Sequence, residues 1–538
     1  MKYLSKVCIF FLIVTMAFTA LSCKNSVNES STSKGNQTPA PEPEGLEIPL
    51  TLEFFDADGE VTIDNPWSTL KYSINGGTLT SIGLVNTVSI PVIKGQKISF
   101  YAERSESAAS PMTIDCSSKC YIYGNIMSLV SLKSGSTKWD PSAKTLVAYC
   151  FAYLFLDNSH IINHSDKSIL LPATTLADYC YFSMFRGCKK LTSAPALPAT
   201  VLAESCYETM FTDCKALASV PDLPAKTLAI RCYQRMFLDC INLKSAPELP
   251  ATALTDSCYA SMFSGCKALA SAPELPATTL AAYCYEDMFS GCASLVSAPA
   301  LPVKTLADGC YKNMFLNCTG LKSAPKLPAE TLVSKCYSGM FSGCKSLASA
   351  PALPATELGV SCYECMFYDC KSLVSAPSLP ATELAESCYS AMFLGCKSLA
   401  SAPKLPATIL AKNCYTSMFE DCTSLTSAPA LPVKTLAEGC YAGMFCGCES
   451  LTSAPDLPAE ILVKYCYYNM FADCSSLTSI KCLATDISAN NCTDYWISGL
   501  PASGTFLKAS DADWSVKTGD GGIPSGWATK NAEDQTGA

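Results

Sequence analysis

The chain has 538 residues, of which 49% are hydrophobic and 16% are charged, and its formal net charge is −9. This length exceeds what one ordinary core accommodates, and the apolar content excludes disorder for the bulk of the chain. No block of Lys or Arg follows residue 24, which argues against binding to nucleic acid or to an anionic membrane surface.

The first 22 residues predict a targeting segment. Lys2 and Lys6 precede an apolar run at 7–20, which is too short to span a bilayer comfortably. The run leads into Ala-Leu-Ser-Cys, which resembles a bacterial lipobox and ends at Cys23. That resemblance implies a signal peptide over 1–22 and a lipid attached to Cys23, which becomes the first residue of the mature protein. An ordinary secretory signal with a chance cysteine is the alternative.

Residues 23–44 are rich in Ser, Asn, Thr and Pro, a composition that cannot bury a core. They predict a flexible linker. No second apolar run of about 20 residues follows, so we expect contact with the membrane through the lipid anchor alone. The expected location is the bacterial cell envelope, at the outer membrane and facing the exterior.

Residues 45–135 predict a small all-β domain with a sandwich-like fold. Short segments between Leu50 and Ala102 largely alternate apolar and polar residues, and Asn-Gly-Gly at 75–77 is a hairpin signal. Short strands at even spacing are typical of a sandwich.

Four side chains of this domain are candidates for a function. Cys116 and Cys120 are four residues apart, and in an exported protein a local disulfide is favoured over a redox motif. Trp67 and Tyr72 could bind a sugar if they were exposed, and packing into the core is the alternative.

From Leu171 the sequence repeats every 26 residues, twelve times, without a slip. Each repeat begins with a Leu-Pro pair at positions 1 and 2, followed by Leu at 6, Cys at 10, Tyr at 11, Met-Phe at 14 and 15, Cys at 18 and Leu at 21. Ala-Pro usually follows at 24 and 25. Positions 10 and 18 hold 24 of the 33 cysteines, so the cysteine count reflects the repeat and not a disulfide-rich small fold.

This period lies within the range of leucine-rich repeats. Positions 6, 10, 14, 15 and 18 lie largely along one side of a helix, and position 17 is always Gly, Asp or Asn, which suit the left-handed end of a helix. The pattern predicts a helix from about position 6 to 16 and one short strand at 20–25, stopped by proline. Stacked turns would form an α/β leucine-rich-repeat solenoid with a parallel sheet.

The predicted solenoid covers 141–500 and has degenerate caps. Its first turn carries Asn158 in place of the second cysteine and is followed by a four-residue insertion. Its last turn begins at Leu483 and has Trp496 and Ile497 in place of Met-Phe. Atypical terminal turns cover the ends of a solenoid core. Residues 501–538 predict a short C-terminal closing segment.

The motif Met-Phe-x-x-Cys-x-x-Leu followed by Leu-Pro resembles the BspA-type leucine-rich repeats of bacterial surface proteins. The resemblance covers about two thirds of the chain, and the repeats here depart from the shorter common form in their 26-residue length and second cysteine. It implies a surface-exposed protein that adheres to host matrix proteins or to other bacteria.

The two columns of repeat cysteines leave three interpretations open: stacked buried thiols, disulfides between adjacent turns, and a metal site. Positions 10 and 18 of one helix would be roughly 12 Å apart, which exceeds the reach of a disulfide. A metal is disfavoured because no histidine joins the array. The histidines of the chain, His160 and His164, lie in the insertion, where a loop is favoured over a metal-binding helix.

No motif for a catalytic nucleophile, a phosphate loop or a zinc hydrolase is present, so the sequence predicts neither an enzyme nor a cofactor. Positions 22, 23 and 26 should lie on or near the strand face, and they identify no ligand-binding residue. We therefore predict a scaffold that binds a protein or glycan on a host or bacterial surface. The alternatives are a carbohydrate-binding accessory protein and a structural surface spacer.

Overall fold

The computed structural model describes residues 45–103 and 111–535, which belong to one compact unit. The predicted signal peptide, the linker and Cys23 lie outside these residues. Within the described part of the chain, no helix is long and apolar enough to cross a membrane.

The N-terminal domain contains two sheets. The strands of the first sheet within this domain are β1 (Thr51–Phe54), β3 (Lys71–Ile74), β4 (Thr80–Ser81), β6 (Lys97–Tyr101) and β8 (Cys120–Asn125). Those of the second are β2 (Gly59–Asp64), β5 (Thr87–Val92) and β7 (Thr113–Cys116). The order of the strands is β8-β1-β6-β3-β4 in the first sheet and β5-β2-β7 in the second. Along strands such as β1, β2 and β6 every second side chain points into the core, as the period of two predicts. Leu52 on β1, Val61 on β2 and Ile98 on β6 are examples, and all three are fully buried.

The first sheet extends directly into the solenoid. Strands β9 (Ile161–Asn163) and β10 (Ile169–Leu170) come from the insertion after the first turn, and both pair in parallel with β8. Asn158 is fully buried at this junction. Its side-chain amide donates to the carbonyl of Ile114 at 3.2 Å and accepts from the N–H of Ile161 at 3.2 Å. The β domain therefore covers the N-terminal end of the solenoid core.

The helix predicted for each turn is wrong. Positions 7–18 form successive β-turns, a segment called the turn ribbon below. The helical segments of the described residues are 3-10 turns at Ile126–Leu129, Gly519–Gly521 and Glu533–Gln535.

Backbone hydrogen bonds in the turn ribbon alternate between two directions. In the repeat that begins at Leu197, the N–H of Tyr207 at position 11 donates to the carbonyl of Cys232 in the next turn. The N–H of Glu208 at position 12 donates to the carbonyl of Ser205, three residues back in the same turn. Odd positions from 9 to 17 repeat the first pattern and even positions from 10 to 18 the second. The backbone N–H groups and carbonyl groups of the ribbon thus find hydrogen-bond partners without forming a helix or a sheet.

Left-handed residues recur every four positions along the ribbon. Positions 9, 13 and 17 have φ near +50° to +75° in all fourteen turns, including the degenerate ones. A left-handed third residue is the feature of a type II turn, and in an α-helix it ends the right-handed path. The prediction of a left-handed position 17 is confirmed, and positions 9 and 13 share its conformation.

The same period of four directs the invariant side chains inward. Positions 10, 11, 14, 15 and 18 are almost fully buried in every regular repeat. The tyrosines at position 11 stack on one another with ring centroids 5.7–6.2 Å apart, from Tyr181 to Tyr467. The phenylalanines at position 15 form a second stack, from Phe155 to Phe471.

The parallel sheet predicted at positions 20–25 is reduced to isolated bridges in the regular turns, for example Ser193 to Ser219. Proline at positions 25 and 2 removes the N–H groups that a continuous ladder requires. A continuous parallel sheet begins at the end of the last regular repeat, where Lys481 replaces the proline of position 25. Its strands are β11 (Ser479–Cys482), β12 (Thr505–Lys508) and β13 (Ala528–Asn531).

Aromatic side chains close both ends of the stacked columns. At the C-terminal end Trp496 lies 6.3 Å from both Tyr467 and Phe471, and Trp514 stacks on it at 5.4 Å. At the other end Trp67 of the β domain lies 6.4 Å from Phe151 of the first turn.

We expect Asn158→Ala to lower the free energy of unfolding by about 2 kcal/mol, because it leaves buried backbone groups of Ile114 and Ile161 without a partner. Denaturant unfolding followed by circular dichroism measures this loss. The control is Asn242→Ala, whose side-chain hydrogen bond is exposed, with an expected change below about 0.5 kcal/mol. Equal effects of the two variants would contradict a structural role for Asn158 at the junction.

Candidate binding surface

The outward side chains of the turn ribbon form one continuous surface, called the ribbon face below. It consists of positions 8, 9, 12, 13 and 16 of each turn. Residue types at these positions change from turn to turn: position 12, for example, holds Phe182, Glu208, Gln234, Ala260, Glu286 and Lys312 in the first six repeats. The inward positions beside them hardly vary. Sequence differences between turns are thus frequent on this surface, as they also are at position 26 on the opposite side.

The opposite side of each turn is more uniform. Shallow clefts recur there between neighbouring turns and are lined mainly by alanine, leucine and the prolines of positions 25 and 2. The three clefts at 194–224, 298–328 and 350–380 contain at most one charged side chain each. The strand side, where the sequence placed the binding positions, therefore offers little to distinguish one ligand from another.

The N-terminal end of the ribbon face carries a group of aromatic rings. Tyr149 and Tyr179 stack with their centroids 4.7 Å apart and their planes 1° from parallel. Tyr153 meets Phe182 edge-on at 5.2 Å. Tyr149 is 49% exposed, and the other three side chains are half-buried.

Charged side chains surround these rings. The hydroxyl of Tyr179 lies 3.2 Å from a carboxylate oxygen of Glu204. Glu208 is half-buried, and burial raises the pKa of its carboxyl. Arg231 and Arg235 are exposed at positions 9 and 13 of the next turn.

The C-terminal end of the same face has a second aromatic group, in which Tyr465, Tyr468 and Tyr495 meet edge-on at 5.7 and 5.9 Å. Its charges are paired within the chain. Glu438 lies between Lys464 at 3.2 Å and Lys412 at 3.9 Å.

Comparison with known proteins identifies the repeat. The family model "BspA type Leucine rich repeat region" matches residues 144–296, 255–374 and 393–493 in six copies, which together cover more than half of the chain. The chain belongs to the BspA-type leucine-rich-repeat family. The resemblance to BspA-type repeats that the motif indicated is confirmed. The prediction that the repeats form a solenoid is also confirmed.

Among solved structures, a chain of the crystal structure of the TLR13–ssRNA13 complex is 14% identical to this BspA-type chain, with a TM-score of 0.23. The match covers 69% of this chain and 53% of that one, so this chain spans about half of its length. No curated protein matches the sequence.

The repeat cysteines of this BspA-type protein are arranged as buried thiols. Each of the twelve sulfurs at position 18 lies 3.0–3.2 Å from the carbonyl oxygen of the phenylalanine at position 15 of the preceding turn, as Cys214 does with Phe185. A thiol in this place donates a weak hydrogen bond between turns, and a disulfide would remove that donor. Burial also raises the pKa of these thiols, to about 12 at Cys214.

Cys116 and Cys120 occupy a separate place beside the junction with the solenoid. Their sulfurs are 3.3 Å apart, and the amide of Asn158 lies 3.5 Å from the sulfur of Cys116. A disulfide bond would require an S–S distance of about 2.05 Å. The local disulfide stays a prediction.

The remaining candidates of the β domain and the insertion lie in packed surroundings. His164 sits edge-on to Tyr121 at 4.8 Å, and its Nδ1 accepts from the N–H of Asp166. Trp67 and Tyr72 are partly buried against the core. Within residues 45–103 and 111–535, no group of His, Cys, Asp or Glu side chains is arranged to hold a metal ion. Cys23 lies outside the described residues.

The sequence did not predict the ribbon face, because its positions 8, 9, 12, 13 and 16 were expected to lie on the outside of a helix. The inward pairs at 10 and 11 and at 14 and 15 recur with a strict period of four, but over so short a length this period fits a helix as well as the ribbon.

Alkylation at pH 8 is expected to be slow at the 24 repeat thiols of the native protein, because burial raises their pKa, for example to about 12 at Cys206. After denaturation without a reductant, all 24 should react. Mass spectrometry of the alkylated peptides counts them. Pairs of repeat cysteines that stay protected until reductant is added would show that the columns are disulfide-bonded.

Proposed function

We propose that this protein binds other proteins at the bacterial surface, in adhesion to a host or to another bacterium, and that the ribbon face is its binding surface. Repeats of this family suggest a protein-binding scaffold. The observation that carries the proposal is the contrast between invariant inward positions and variable outward positions within one 26-residue turn.

The architecture supports this assignment physically. Neighbouring turns are joined by backbone hydrogen bonds and buried stacks, and most outward side chains of the ribbon are at least partly exposed. Stacked rings place equivalent residues of adjacent turns about 5.7 Å apart. A ligand of ordinary protein size would therefore contact several turns at once, as on the extended surfaces of other repeat proteins.

We also propose that the protein is exported and anchored to the membrane by a lipid. Lys2 and Lys6, the apolar run at 7–20 and Cys23 support a lipoprotein signal, and the polar tract at 23–44 is suited to hold the folded part away from the membrane.

We expect Cys23→Ala to move the protein from the membrane fraction to the soluble fraction, because it removes the thiol that would carry the lipid. Cell fractionation with immunoblotting measures this, and Cys8→Ala, within the apolar run, is the control. Retention of the Cys23 variant in the membrane would contradict lipid anchoring.

A carbohydrate-binding role of the β domain is the second candidate. Phe55 and Tyr121 stack at 4.1 Å on the outer side of β1 and β8, and both rings are half-buried. Half-exposed rings beside the imidazole of His164 can accommodate the apolar face of a sugar.

The experiment is a binding array of purified matrix proteins and glycans, probed with the chain from residue 24 onward, which lacks the signal peptide and the lipid-bearing Cys23. We expect binding to proteins that weakens at least tenfold when ribbon-face residues are substituted in three adjacent turns. Substituting position 26 in the same turns is the matched control on the opposite side, for which no change is expected. Glycan binding that is lost with Tyr121→Ala would favour the second candidate, and a silent array would overturn both.

A further inference from the structure

We propose that the N-terminal end of the ribbon face is the main contact site for a protein partner that presents carboxylates next to apolar side chains. The site, called the arginine–aromatic patch below, comprises Tyr149, Tyr153, Tyr179, Phe182, Arg186, Arg231 and Arg235. This inference rests on the proposed function, since it locates the contact within the ribbon face.

Arginine is distributed unevenly along the chain. The sequence has four arginines among its 38 basic residues. Arg186, Arg231 and Arg235 occupy positions 16, 9 and 13 within three successive turns, whereas the later repeats carry lysine as their cation. Arginine and tyrosine are the residues most often found at the energetic centres of protein interfaces.

The three guanidinium groups form no salt bridge in the part of the chain that the structure describes. The charges of Arg231 and Arg235 nevertheless act on the half-buried carboxyl of Glu208, where they partly offset the rise in its pKa. Several lysines on the same face do form salt bridges: Lys312 is 2.8 Å from Glu286, and Lys464 is 3.2 Å from Glu438. Each guanidinium is exposed and keeps its planar set of donors for a partner. A carboxylate can accept two parallel hydrogen bonds from such a group.

The charges around the patch favour a protein ligand over a polyanion. Asp178, Glu204 and Glu208 border the rings, so the carboxylates match the three arginines in number. A patch with balanced charges repels part of a uniformly sulfated or phosphorylated chain. It complements a surface that carries its own mixture of carboxylates and apolar groups.

Exposed apolar groups provide the second half of the site. Tyr149 is 49% exposed, and Ile230, beside Arg231, is 43% exposed. Burying these groups against a partner would remove apolar surface from water, and hydrogen bonds from the arginines would orient the partner.

The test uses a random dodecapeptide display library, panned on the immobilised chain from residue 24 onward. We expect the enriched peptides to combine Asp or Glu with aliphatic or aromatic residues. The Kd of a synthesised peptide, measured by fluorescence polarisation, should rise at least tenfold in the variant Arg186→Ala, Arg231→Asn, Arg235→Asn. Asparagine is chosen because it tolerates the left-handed backbone at positions 9 and 13.

The control variant is Lys335→Asn, Lys412→Ala, Lys464→Ala, which removes three exposed cations from later turns of the same face. Its Kd should stay within twofold of the unsubstituted protein, and thermal unfolding should show that both variants fold. An additional variant with Arg186, Arg231 and Arg235 each changed to Lys should bind weakly, since lysine lacks the planar fork.

Three results would overturn the inference. Peptide binding that falls in the lysine variant and not in the arginine variant would place the contact elsewhere on the ribbon face and leave the proposed function intact. Arginine-dependent binding of a sulfated glycan with no peptide enriched would assign the patch to a polyanion. A library with no enriched peptide, together with a silent array of matrix proteins, would reject both the patch and the proposed function.

Discussion

The solenoid depends on the alternation of backbone hydrogen bonds along the turn ribbon. A left-handed residue other than glycine costs roughly 1–2 kcal/mol, and every turn contains three left-handed positions. All three are odd positions, so each directs its N–H to a carbonyl of the neighbouring turn. A net gain of about 1 kcal/mol per hydrogen bond, together with burial of the tyrosine and phenylalanine stacks, offsets that cost. A single ribbon would not keep this conformation, so the fold exists only as a stack.

The sequence predicted the register, the inward residues and the degenerate ends, because each of these follows from which positions repeat. It did not predict the ribbon. Steps of four residues rotate a side chain by only about 40° around an α-helix, so positions 10, 14 and 18 share a side of a helix just as they share a side of the ribbon. Periodicity over so short a length cannot separate the two, and the left-handed positions 9 and 13 accept many residue types.

Backbone hydrogen bonding also determines the structure at the two ends of the solenoid. Proline at position 25 prevents a continuous ladder along most of the array. Once Lys481 restores the N–H, a three-stranded sheet forms immediately. At the other end, Asn158 replaces a thiol with an amide that makes hydrogen bonds on both sides of the junction. These substitutions were visible in the sequence, but their partners are distant in the chain and could not be read from it.

A scaffold held together by its backbone and its inward side chains leaves the outward positions free to diverge. Some of the outward charges are nevertheless paired within the chain, as Lys312–Glu286 and Lys464–Glu438 are. Such exposed pairs add at most about 1 kcal/mol to stability. The three arginines near the N-terminal end face solvent beside exposed rings and form no salt bridge among the described residues. Side chains that the fold does not require, and that carry the chemistry of interface centres, are best explained by contact with another protein.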